Sequence, residues 1–313
     1  MSRTHLAAAT AAAILLAGSA QAADSESCKT VRFSDVGWTD ITATTALTSV
    51  VLEGLGYDPT ATILSVPVTY QSLANSDIDV FLGNWMPTME ADIRPYLDAG
   101  TVESVRANLQ GAKYTLAVPT YLAEQGLKDF ADIATFEDEL DGKIVGIEPG
   151  NDGNRLIQSM IDQNQFGLGD FQLVESSEQG MLAEVNRASR RKQPIVFLGW
   201  EPHPMNVNYE LTYLTGGDEV FGPDFGGATV HTNVRTGYLQ ECPNVGRLLE
   251  NLTFTLPMES EVMGAILDEG EEAEDAAADY LKANADVLEP WLDGVTTLDG
   301  EDGLAAVRTH LGL

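Results

Sequence analysis

Ile78-Asp79-Val80-Phe81-Leu82-Gly83-Asn84-Trp85 and Pro194-Ile195-Val196-Phe197-Leu198-Gly199-Trp200 are short apolar runs, each closed by a glycine and then a tryptophan. A third run, Val31-Arg32-Phe33-Ser34-Asp35-Val36-Gly37-Trp38, follows the same plan. Runs of this length bounded by turn residues read as buried strands. Each indole then sits one or two residues past a glycine, where the strand runs out into a loop. In open α/β sheets ligands lie outside the carboxyl ends of the strands. Three of the four tryptophans therefore fall at one sheet edge, in a chain whose aromatic content is only 7%. A ring cluster with few formal charges suits quaternary ammonium cations, which aromatic faces attract.

Working outward, strand and helix patterns alternate. Residues 39–55 read as a helix with Asp40 in its first turn and Gly54 and Gly56 near its stop. A β-branched segment at 62–66, a short helix near 69–75, the 78–85 strand and a helix at 88–99 follow. A second series runs from Lys113: strand 114–118, helix 136–140, strand 143–147, helix 155–163, strand 171–174, helix 178–190 and strand 194–200. Segments 211–214 and 229–234 bring the chain back, and from Pro243 the pattern is helical: 245–254, 260–267, 271–288 and 304–311. Such alternation predicts βαβ units, a parallel sheet and an α/β class. With no linker between the series, two lobes joined by crossing strands are expected. Lobe 1 would comprise residues 23–112 and 217–313 and lobe 2 residues 113–216, with the C-terminal helices on lobe 1 and a cleft between the lobes.

Residues 1–22 carry the marks of a secretory signal: Arg3 and His5, an apolar stretch from Leu6 to Gly18, and Ala20-Gln21-Ala22 as cleavage site. The apolar stretch is too short to span a bilayer, so a soluble exported protein is expected. Cys28 and Cys242 are the only cysteines, and an even pair in an exported chain reads as a disulfide. It would tie the start of the mature chain to a region more than 200 residues later. The charge balance, 17 Lys+Arg against 48 Asp+Glu, argues against nucleic acid and anionic membranes as partners.

Trp38, Trp85 and Trp200 are matched by Tyr114, so two rings come from each expected lobe and closure would form a four-sided box. Asp40 is placed to accept a ligand hydroxyl and to add negative charge. Asn151, in the turn Gly150-Asn151-Asp152-Gly153, is placed at the ligand's polar end, with Asp152 read as a capping acid. His203 is read as supporting the Trp200 loop. Nucleophile-elbow, zinc-protease, P-loop and dinucleotide motifs are absent, so no enzyme, cofactor or metal site is expected.

Asp35-Val36-Gly37-Trp38-Thr39-Asp40, Gly83-Asn84-Trp85-Met86-Pro87, Lys113-Tyr114, Glu148-Pro149-Gly150-Asn151 and Gly199-Trp200-Glu201-Pro202-His203 occur in that order. Together they make the chain, from Thr30 to Leu313, resemble the substrate-binding proteins of ABC importers for glycine betaine and choline, most closely the choline binders. The resemblance implies a two-lobed, type II-like periplasmic binding protein fold that closes about a hinge. It implies a trimethylammonium caged by Trp38, Trp85, Tyr114 and Trp200, and a hydroxyl held by Asp40 and Asn151. A monomer delivering choline to an inner-membrane permease is the function it implies. Glycine betaine or carnitine is the alternative ligand, and a secreted choline-ester hydrolase the alternative class.

Overall fold

The computed structural model describes residues 24–313, so the expected signal peptide lies outside the described residues. The chain starts with β1 (Thr30–Asp35), β2 (Asp58–Ile63) and β3 (Val80–Met86), then runs through the 18-residue β4 (Val102–Pro119). It continues with β5 (Lys143–Val145), β6 (Gln172–Val174), β7 (Phe197–Glu201), β8 (Leu211–Tyr213) and β9 (Gly227–Arg235). The nine strands of the described residues form one sheet in the order β2-β1-β3-β9-β4-β7-β5-β6, with β8 also on β4.

The parallel pairing expected from the alternation holds in two wings of the sheet and not between them. β1 pairs parallel with β2 and β3, and β5 parallel with β6 and β7. Between these two wings β4 and β9 pair antiparallel with each other, with β3 and with β7. Strands joined through a helix return in parallel. The two central strands instead cross from wing to wing, so their directions alternate with their neighbours.

Three element assignments also move. The strand expected at 62–66 is β2, which ends at Ile63, and Val66 opens the helix Val66–Asn75. β2 is an edge strand exposed along most of its length, so hydrophobic periodicity gave it no signal. The helix expected at 136–140 is a 3-10 turn at Phe130–Phe136, started by reciprocal capping between Asp129 and Asp132. The long C-terminal helix expected at 271–288 is confined to Ala273–Ala283.

The helix Thr39–Gly54 is buried on nearly every side. It packs against Leu256–Gly264, Ala273–Ala283 and Gly303–Leu311, which places the C-terminal helices on the first wing as expected. A Cβ on Gly54 would lie 3.0 Å from the Val307 backbone, so only glycine lets that last helix come this close. The chain's two ends are joined twice more. Cys28 and Cys242 form a disulfide across 214 residues. Asp24 accepts hydrogen bonds from the backbone N–H groups of Asn244 and Val245 at 2.7 and 3.0 Å.

Candidate ligand-binding site

The first three apolar runs end, as their sequences predict, at one place. Trp38 follows β1 through Gly37, whose φ of +81° suits glycine. Trp85 lies in β3, and Tyr114 and Trp200 are directly paired residues of β4 and β7. β9 separates β3 from β4 and opposes Trp85 with Val230 and Ala112 with Ala228, so no large ring intervenes. The Trp85 and Tyr114 ring centroids are 5.9 Å apart, and those of Tyr114 and Trp200 6.4 Å apart and nearly perpendicular.

The four rings, Asp40, Ile147 and Asp152 line a small cavity. All four rings are no more than 6% exposed, so this is a closed box rather than a surface groove. Phe221 backs Tyr114 edge-on at 6.0 Å, and His203 backs Trp200 at 4.7 Å, which is the support expected of His203. Rings braced in this way present faces whose orientation is fixed before a ligand arrives.

Asp40 is 1% exposed. Its Oδ2 accepts the Trp85 indole N–H at 3.0 Å, whereas its Oδ1 has no partner among the described residues. Burial pushes its carboxyl up to about 8, and the negative charge of Glu178 adds to this, with the Trp85 bond acting in the opposite direction. A buried carboxylate with one free oxygen beside four ring faces is suited to a cation that also carries a hydrogen-bond donor.

Asn151 caps a helix, and Asp152, expected as the capping acid, lines the cavity. Asn151 is the N-cap of the helix Asp152–Asp162: its Oδ1 accepts the Asn154 N–H at 2.8 Å and the Tyr114 hydroxyl at 3.4 Å, and its Nδ2 donates to the Glu148 carbonyl. Asp152 faces the cavity, wholly buried, with neither oxygen hydrogen-bonded among the described residues. Burial raises its carboxyl to about 6, and the negative charge of Asp92 adds to this. Both residue types cap helices well; here Asn151 caps and its Oδ1 also accepts the Tyr114 hydroxyl.

Three further residues escaped the sequence reading. Gly153 lets the Tyr114 hydroxyl approach, since a Cβ there would lie 2.0 Å from it. Ile147 supplies the apolar part of the lining. Glu178 is fully buried and accepts from Thr39 N–H, Thr39 Oγ1 and the His203 ring. The Gly-x-x-Gly spacing of the 150–153 turn hinted at the first, but nothing distinguished Glu178 from the chain's other acids.

Residues 29–283 match the family described as the substrate-binding domain of the ABC-type glycine betaine transport system. The glycine betaine/carnitine transport binding protein GbuC of Listeria monocytogenes is 32% identical over 165 residues, 53% of this chain and 54% of that protein. A solved ABC-transporter choline binding protein in complex with choline is 67% identical, with a TM-score of 0.91, over 92% of this chain and 100% of that one. An ABC-transporter choline binding protein in an unliganded semi-closed conformation has the same identity and coverage but a TM-score of 0.85. The present structure is thus nearer in shape to the choline-bound chain. With a two-lobed α/β fold, a buried aromatic box at the strand ends and a family match over most of its length, the chain belongs to the substrate-binding domains of ABC-type glycine betaine transport systems.

Proposed function

We propose that this chain captures choline in the box formed by Trp38, Trp85, Tyr114 and Trp200 and delivers it to an inner-membrane permease. The observation that carries the reading is the free Oδ1 of Asp40 inside a cavity walled by four aromatic rings. The rings take the trimethylammonium, and Asp40 accepts the hydroxyl proton. Asn151 acts through the Tyr114 hydroxyl that it orients. A desolvated cation gains about 2 kcal/mol or more from a ring face, so four faces supply on the order of 6–8 kcal/mol before the costs of closure. A micromolar complex needs about 8 kcal/mol net, which one charged hydrogen bond completes.

The lobes we assign follow the boundaries expected from the sequence, 23–112 with 217–313 and 113–216, with one adjustment. Phe221 packs against Phe130 and Tyr114, so the return crossing is drawn at β9 rather than at residue 217. We further assign a monomer working in the periplasm, and no turnover of its ligand. Glycine betaine is the second reading. The family description favours it, and Asp40, raised to about 8, can be protonated at neutral pH and donate to a carboxylate.

Indole fluorescence tests the box directly, because three of the four tryptophans line it. Choline should shift or quench the emission at micromolar concentration. Ethanolamine, whose ammonium keeps its strong hydration, should need far more. Equal responses to the two would remove the box as the recognition element.

A further inference from the structure

We propose that Glu178 is a positioning residue that ties the two walls of the aromatic box together across the cleft, by capping the opposite lobe's first helix. The proposal rests on the two-lobed reading above, and on choline only as the probe. Trp38 occupies the N-cap position of the helix Thr39–Gly54, where an indole offers no acceptor to the free N–H groups of the first turn. The acceptor comes instead from 139 residues away. Glu178 Oε2 takes the Thr39 N–H at 2.7 Å and the Thr39 hydroxyl at 3.0 Å. A carboxylate at a helix N-terminus also meets the favourable end of the helix dipole.

The other oxygen completes the link. Glu178 Oε1 lies 2.8 Å from His203 Nε2. His203 Nδ1 accepts the Met205 backbone N–H at 2.9 Å, so in the neutral ring the proton sits on Nε2 and is donated to Glu178. The His203 ring then stands edge-on to Trp200. A continuous path therefore runs from Trp38 through Thr39, Glu178 and His203 to Trp200, joining one wall of the box to the other. Thr39, Glu178 and His203 are all buried.

A second bond crosses between the same lobes, from Arg155 to Asp92 and to the Thr88 carbonyl. The Arg155 side chain is 41% exposed, which makes that pair weak and salt-sensitive. The buried carboxylate is the stronger tie. Opening the cleft returns Thr39 and Glu178 to water, so their mutual bonds exist only in the closed form. Their removal should therefore act on dissociation rather than on the encounter.

Stopped-flow fluorescence with choline on the full mature chain separates the two, alongside X-ray scattering to follow compaction. Glu178→Gln keeps the shape but must turn its NH₂ toward either Thr39 or His203, both donors. Choline dissociation should speed up by about 5- to 150-fold, the range for one buried unsatisfied group, with association nearly unchanged. Thr39→Val removes only the hydroxyl and should accelerate dissociation less, whereas Thr39→Ser should restore the wild-type rate. The melting of the ligand-free protein should stay close to wild type for both Thr39 variants, which separates a positioning role from a structural one. If Glu178→Gln does not fold, the Thr39 pair decides alone. Unchanged dissociation in Thr39→Val and Glu178→Gln, or equal effects of Val and Ser, would overturn the proposal. A wild-type chain indifferent to choline would count against the ligand assignment only. The same dissociation rates would then be read with glycine betaine as the probe, and equal rates for wild type, Thr39→Val and Glu178→Gln would overturn the tie.

Discussion

Replacing Asp40 by Asn should weaken choline binding by an amount that grows with pH. The amide can keep the acceptor that Trp85 Nε1 uses at 3.0 Å, but the free Oδ1 becomes an NH₂ that cannot accept a hydroxyl proton. A hydrogen bond to a charged group contributes about 1.5–3 kcal/mol. In the empty site Asp40 has its carboxyl at about 8, so at pH 7 it is about nine-tenths protonated, and ionising it costs about 1.4 kcal/mol. The net advantage of the acid at pH 7 is then about 0–1.6 kcal/mol, or about 1- to 15-fold in affinity. By pH 9 the ionisation cost is gone and the full difference appears, about 10- to 150-fold. Calorimetric titrations between pH 6 and 9, in two buffers of different ionisation heat, would measure both the slope and the proton released on binding. Wild-type affinity should rise with pH through the region near 8, and that of Asp40→Asn should rise less. Identical pH slopes would refute the argument and leave Asp40 as a bracket for Trp85.

The same carboxyl makes the ligand-free protein pH-sensitive in a definite direction. A group raised in the folded state binds more protons there, so its contribution to stability falls as pH rises from about 4 toward its folded value near 8; thermal melts of Asp40→Asn should be flatter over that range. Gly153→Ala would place a methyl 2.0 Å from the Tyr114 hydroxyl, and should lower choline affinity at least tenfold, as measured by fluorescence titration, with the fold retained. Trp85→Ala should weaken choline and glycine betaine alike, because it removes a wall that meets the shared trimethylammonium; selective loss of one ligand in parallel titrations would contradict this. A thiol count on unfolded, unreduced protein should find none. Reduction should destabilise the fold by up to about 5 kcal/mol for a loop of this length, read from denaturant curves with and without reductant.

The residues that could be read in advance were those with a local signature. Trp38, Trp85 and Trp200 each follow a glycine at the end of an apolar run, and a run of that kind has few structures open to it. The sequence of β4 reads as a strand only from Tyr114 to Val118, because its first half carries Arg106, Asn108 and Gln110 and is only partly buried. That half was the one that mattered for topology, since its antiparallel pairing with β9 makes the sheet mixed. Glu178 was invisible for a different reason. Its role depends on Thr39 and His203, partners 139 and 25 residues away, and no local pattern encodes such a meeting. Asn151 and Asp152 show the limit within a single turn, where either residue type can cap a helix and no local pattern chooses between them.

An ionised Asp40 repels the betaine carboxylate, whereas a protonated one can donate to it, so discrimination between the two ligands should itself depend on pH. A calorimetric titration of the mature protein with choline and with glycine betaine at pH 7 and pH 9 measures that discrimination. Choline should bind more tightly at both values, and its margin over betaine should widen at pH 9. Tighter binding of glycine betaine at pH 9, where Asp40 carries its charge, would contradict it.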